Sequence, residues 1–217
     1  MEDILYKLKK QRVKRVALMG GTFDPVHIGH LITAETVRER FNLDKVVFIP
    51  DGNPPHKDNR NISSCIQRYD MLQMAVVSDP YFDVSRIEID RQGITYTIDT
   101  IIKVREILGN SIEIYFITGA DTVLEILTWK DSYKLLTLCK FVAVNRPGYD
   151  SELLSRRIFE LRHDFNCDII SIDVPGIDIS SSMIRERVSK GQSIKYMVPE
   201  NVEQYILKNN LYNQWSE

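Results

Sequence analysis

Short runs of consecutive apolar residues recur along the chain, separated by longer helix-like stretches. The short runs are Val13 to Met19, Lys45 to Ile49, Phe82 to Ile89, Ile112 to Thr118, Lys140 to Val144 and Asp168 to Ile172. Several are rich in Val, Ile and Phe with little polar alternation, the pattern of strands covered on both faces. The longer stretches predict helices over Ile28 to Phe41, Ser63 to Ser78, Thr97 to Leu108, Asp121 to Leu138 in one or two pieces, and Ser151 to His163. Two more are expected from about Ser180 to Lys190 and from Glu200 to Asn209. Strand alternating with helix predicts an α/β chain, a doubly wound and mostly parallel sheet with helices on both faces. Residues 1–12 read as a short helical or frayed extension, and 13–217 as a single domain, since no repeat, low-complexity tract or linker interrupts them.

In a sheet of this kind ligands bind beyond the carboxyl ends of the strands, where the strand order reverses. The segments that follow the predicted strands therefore matter most. They are GGTFDPVHIGH, PDGNPPHK, GADTV, NRPGY and PGIDISSSMIRER, unusually rich in Gly, His, Lys, Arg and Ser. In the first, Gly20 and Gly21 allow a sharp turn and close approach of a ligand to the backbone. A helix start near Ile28 or Gly29 offers main-chain N–H groups and a partial positive charge suited to phosphate. His27 and His30 are three apart and share a helical face. Such a pair could donate to phosphate oxygens, or could simply cap the helix. The string contains neither G-x-x-x-x-G-K-[ST] nor G-x-G-x-x-G.

Composition narrows the partners. The 217 residues are 43% hydrophobic and 27% charged with a formal charge of -2, so a basic excess suited to long nucleic acids is missing. No run approaches the roughly 18 apolar residues of a membrane span, and no apolar leader opens the chain. The expectation is a cytoplasmic protein with no nucleic-acid or membrane partner. A homo-oligomer is allowed, its order not set by sequence. Cys65, Cys139 and Cys167 lack metal-ligand spacing and read as free thiols.

GGTFDPVHIGH resembles the first signature of the nucleotidyltransferase superfamily that carries an HxGH motif. Asp178 to Arg185, DISSSMIR, resembles its ISSTxxR element, with Ser182 where that pattern has Thr. Within the superfamily the chain resembles the bacterial nicotinate mononucleotide adenylyltransferases over nearly its whole length. That resemblance implies a Rossmann-like fold and the union of ATP with nicotinate mononucleotide, giving nicotinate adenine dinucleotide and pyrophosphate. It implies that Gly20, Gly21, Thr22, Phe23, His27, His30, Gly119, Asp121, Ile179, Ser180, Ser181, Ser182 and Arg185 bind ATP. It further implies that His56, Lys57, Thr97, Trp129 and Arg146 bind the pyridine nucleotide, with Thr97 facing the carboxylate, Trp129 stacking on the ring and Arg146 meeting phosphate.

The attacking phosphate oxygen is already anionic near neutral pH, so the reaction needs alignment and charge neutralisation rather than a strong base or covalent intermediate. His27, His30, Lys57 and Arg185 are the catalytic candidates, and Mg2+ is expected to arrive with ATP, its protein ligand unassigned. Another acceptor of the same superfamily, nicotinamide mononucleotide or phosphopantetheine, is the nearest rival reading. A nucleotide-binding regulator without catalysis is the rival from another class.

Overall fold

The computed structural model describes residues 3–53, 62–145 and 151–213. Six parallel strands form one sheet: β1 Arg15–Gly21, β2 Lys45–Pro50, β3 Phe82–Val84, β4 Glu113–Gly119, β5 Lys140–Asn145 and β6 Ile169–Asp173. Their spatial order is β3-β2-β1-β4-β5-β6, the doubly wound Rossmann arrangement, with the order reversing between β1 and β4. The helices are α1 Ile4–Lys10, α2 Ile28–Phe41, α3 Cys65–Val76, α4 Thr97–Leu108, α5 Ala120–Glu125, α6 Ser132–Leu138, α7 Ser151–Phe165, α8 Ser181–Ser189 and α9 Glu200–Lys208. A 3-10 turn over Ile126–Thr128 splits α5 from α6.

The period of two along each strand divides the core. Val16, Leu18, Ile114, Phe116, Phe141 and Ala143 face one layer, which α1, α4, α5, α6 and α7 cover. Ala17, Met19, Tyr115, Ile117, Val142 and Val144 face the other, covered by α2, α3, α8 and α9. Residues on both faces are buried, which is why the strands read as unbroken apolar runs. In α1, Leu5 and Leu8 are fully buried in the first layer. The Asp3 carboxylate caps this helix at Leu5 N and also accepts from Ser85 Oγ and Arg86 N. This explains why β3 stops at Val84 instead of running to Ile89. Ser85 N still donates to Phe48 O of β2, but the Ser85 hydroxyl and the Arg86 N–H go to the Asp3 carboxylate instead of a neighbouring strand.

Register shapes the functional end. Pairing of β1 with β4 ends at Met19 and Ile117, whereas β1 stays paired to β2 as far as Gly21 and Pro50. Likewise β4 stays paired to β5 through Gly119 and Val144. Gly20 and Gly21 therefore part from Thr118 and Gly119, and a slot opens at the reversal point. No helix among the described residues is long and apolar enough to cross a membrane. The thiols Cys139 and Cys167 are buried, and burial pushes that of Cys139 up to about 12, so it stays protonated.

Candidate active site

A cleft of about 200 Å³ occupies the slot. Its walls include Gly20, Gly21, Phe23, His27, His30 and Gly119, with Ile177 and Ile179 from the segment after β6. That segment leaves the sheet edge at β6 and returns to line the cleft, bringing α8 against the loop that leads into α2. The sequence expectation that distant segments meet at one sheet edge is thus realised for the described residues.

His27 is the N-cap of α2 and is 4% exposed. Its ring stacks on that of His30 at a centroid distance of 3.7 Å and an interplanar angle of 25°. Phe23 also packs on His30 with an edge contact at a centroid distance of 5.0 Å. The His27 N–H donates to His30 Nδ1 at 3.2 Å, so in the neutral ring of His30 the proton sits on Nε2. Both imidazoles are thereby fixed at the cleft wall. Gly29 leaves room beside them, since a Cβ there would come within 3.1 Å of the His27 ring and press on it. The helix N-terminus is not left entirely for a ligand, since Ile28 N donates to Met197 O at 2.9 Å.

The α8 element is tied to the same loop. Ser181 Oγ donates to Pro25 O at 2.9 Å, and Arg185 Nη1 donates to Asp24 O at 2.7 Å. Ser180 caps α8 by accepting from Met183 N, and Ser182 lies exposed within 3.4 Å of Arg185 Nη2. The first and last motifs therefore form one unit. One serine hydroxyl, that of Ser181, and one guanidinium nitrogen are committed to holding it together.

Thr22 Oγ1 donates to Asp51 Oδ2 at 2.9 Å, joining the loops after β1 and β2. Asp121 is exposed, and its carboxylate lies where a Gly119 Cβ would stand. Thr97 opens α4, and the segment before it is tied to the loop after β2 by Asn53 N to Thr95 Oγ1 and Thr95 N to Asn53 O. Lys130 lies 4.4 Å from the Tyr96 ring centroid and 3.4 Å from Asp99, so the Trp129 segment leans on the start of α4. Trp129 meets Phe116 edge to face at 6.4 Å, and Phe116 lies directly under Gly20. One ring thus separates Trp129 from the cleft. Thr97 and Trp129 are not among the cleft walls; they form a second locus beside it. His56, Lys57 and Arg146 lie outside the described residues.

Four participants escaped the sequence reading. Asp24 is 2% exposed and accepts from Tyr212 Oη at 2.7 Å and from Ser63 N at 3.1 Å. Arg68, 3% exposed, spends its guanidinium on carbonyls of the loops around the cleft. Its signal was present: 68, 71, 72 and 76 form the buried stripe of α3, and an arginine on such a stripe needs a partner inside. Tyr212 gave no such signal. Glu88 was the fourth. It lies against Gly52, where a Cβ would strike the Glu88 carbonyl, and its Oε1 accepts from Thr100 Oγ1 at 2.7 Å.

Burial, helped by the like charge of Asp51, raises the Glu88 carboxyl above the ordinary value of 4.5. The folded state prefers the protonated form. Stability is therefore highest below 4.5 and declines as pH rises from there through the folded-state value. Glu88→Gln keeps the acceptor for Thr100 and removes the charge. It is expected to raise Tm at pH 8 and leave it nearly unchanged at pH 4, as thermal melts across pH will show.

The chain matches the cytidylyltransferase-like family over residues 18–187. A probable nicotinate-nucleotide adenylyltransferase of Thermoanaerobacter sp. (strain X514) is 51% identical over 207 residues, 95% of this chain and 98% of that protein. Another from Moorella thermoacetica is 49% identical over 201 residues, 93% of each chain. Among solved structures, Plasmodium falciparum nicotinic acid mononucleotide adenylyltransferase complexed with NaAD shares the fold at a TM-score of 0.76. It is 21% identical, over 92% of this chain and 98% of that one. With the signature residues gathered at the reversal point and relatives matching end to end, the chain belongs to the cytidylyltransferase-like family, among its nicotinate-nucleotide adenylyltransferases.

Proposed function

We propose that the cleft holds the phosphates of ATP and that the locus of Thr97 and Trp129 holds the pyridine nucleotide. The enzyme joins ATP to nicotinate mononucleotide, giving nicotinate adenine dinucleotide and pyrophosphate, a step of NAD biosynthesis. The observation that carries the site assignment is the tie of Arg185 and Ser181 to the two residues, Asp24 and Pro25, that lead into the paired histidines.

The acceptor phosphate attacks the α-phosphorus of ATP and pyrophosphate leaves in line. His27 and His30 stabilise the α-phosphate and the departing oxygen, with Nε2–H of His30 as donor. Arg185 and the serines of α8 hold the β- and γ-phosphates, the guanidinium being anchored through Nη1 on Asp24 O. His56, Lys57 and Arg146 add charge from the acceptor side. Magnesium enters with the nucleotide, held by phosphate oxygens and water as suits a hard cation that keeps its hydration.

The test is pyrophosphate release from ATP with nicotinate mononucleotide, nicotinamide mononucleotide or 4′-phosphopantetheine as acceptor. The acid is expected to be preferred; faster turnover with either of the others would replace this reading, and ATP binding without release would favour a regulator. In the same assay Trp129→Ala is expected to raise KM for the pyridine substrate about five- to tenfold, the loss of a stacking contact worth about 1 kcal/mol. KM for ATP should stay within about twofold. Equal increases in both constants would remove the stacking role.

A further inference from the structure

Tyr212 lies well beyond the last signature motif, yet its side chain ends at the first. It is 3% exposed, and its hydroxyl donates to Asp24 Oδ1 at 2.7 Å. The chain reaches this place by turning inward after α9. Leu211 N donates to Ile206 O at 3.0 Å, and Asn210 and Tyr212 adopt left-handed backbone with φ of 50° and 67°. A bulky residue rarely takes that conformation, so its interior contacts must hold it there. Those contacts are the Asp24 carboxylate and the apolar layer that contains Met71, Val202 and Ile206.

Asp24 sits between the two residues that fix His30. Just before it, Phe23 packs edge-on against the His30 ring. Shortly after it, His27 stacks on that ring and donates its N–H to Nδ1. A shift of residue 24 therefore moves both neighbours of the imidazole. The far end of the same turn is held by the same part of the chain, since Ile28 N donates to Met197 O at 2.9 Å. The segment that follows α8 thus grips the turn from Asp24 to Ile28 at both ends. Tyr212 is not among the cleft walls, so any effect on the reaction passes through the residues it holds.

We infer that Tyr212 is a positioning residue for adenylyl transfer, setting through Asp24 where His30 presents its Nε2–H. The inference rests on the reading that His30 stabilises the α-phosphate. A double-mutant cycle on the full chain separates the two, with kcat and both Michaelis constants measured for the wild type, Tyr212→Phe, His30→Ala and the pair.

Phenylalanine keeps the ring in its layer and deletes the donor to Asp24. Tyr212→Phe is expected to lower kcat per folded molecule about 5- to 20-fold, short of the roughly 100-fold that a 1 Å misplacement can cost, with both KM values changed less than about threefold. A tyrosine with only a structural role would reduce the amount of folded enzyme and leave that kcat alone. In the His30→Ala background the same change should cost less than about threefold, because the donor it places is gone. Equal losses in both backgrounds, a change confined to KM, or no change at all would overturn the inference alone. Full turnover of His30→Ala would overturn the reading of His30 and the inference with it. Tm and far-UV circular dichroism set a temperature at which all four proteins are folded. Should Tyr212→Phe not fold, Tyr212→Phe combined with Asp24→Asn, which removes the stranded charge, takes its place in the cycle. Failure of both to fold would make Tyr212 a structural tyrosine only.

Discussion

His30→Ala is expected to lower kcat by about 10²–10³ while leaving the fold intact, the loss typical of one transition-state donor. The ring is held by three contacts: His27 stacks on it, Phe23 packs edge-on against it, and the His27 N–H occupies Nδ1. Such a ring cannot rotate freely, and its single mobile proton is placed on Nε2 at the wall of the cleft. Charge on the α-phosphate grows in the transition state, so the lost donor should appear in kcat more than in KM for ATP. Alanine also deletes the acceptor for His27 N, a cap worth about 1 kcal/mol, so a Tm shift of a few degrees should accompany the kinetic loss. Pyrophosphate release under saturating ATP decides the matter, and turnover at the wild-type rate would end the assignment.

Asp24→Ala should have the largest effect on stability. The carboxylate is buried, and its two oxygens separately receive Tyr212 Oη and Ser63 N, while the carbonyl of the same residue receives Arg185. Burial and the adjacent Asp24 charge push the Tyr212 phenol well above its ordinary value, so it remains a donor at any working pH. Alanine would take the carboxylate acceptor from the buried Tyr212 hydroxyl and the half-buried Ser63 N–H, at about 1–3 kcal/mol each. For a chain of this size a total near 3 kcal/mol corresponds to roughly 6–12 °C in Tm by calorimetry. Asp24→Asn, which keeps one acceptor oxygen, should fall between. A change under about 2 °C for the alanine variant would show that Asp24 does not join these four segments. Activity should fall less than stability, since Arg185 is anchored on the main-chain carbonyl of residue 24, which alanine keeps.

Much of the architecture could be read directly from the chain. The helices at Ile28–Phe41 and Thr97–Leu108 begin and end where the sequence places them, because each has an abrupt change of pattern at both ends. The unbroken apolar runs correctly implied a parallel sheet, and the rule for ligands at strand ends brought the signature loops to one edge. What the chain did not disclose are bonds between residues far apart whose acceptors are main-chain oxygens. The grip of Arg68 on Thr22, Asp51 and Ser63 leaves no mark on the identity of those three residues. The Tyr212 hydroxyl meets a carboxylate 188 positions away, and neither local pattern nor composition pairs them. Likewise the early stop of the third strand depends on Asp3, which no local window around Phe82 contains.

The opening between β1 and β4 arises from chain connectivity, since pairing lapses after Met19 and Ile117 while each strand keeps its outer neighbour. Mutation of the residues lining that opening can alter which molecule fits while the parting of the two strands remains. A lineage with this scaffold is therefore free to explore new acceptors one side chain at a time, without having to evolve a hollow first.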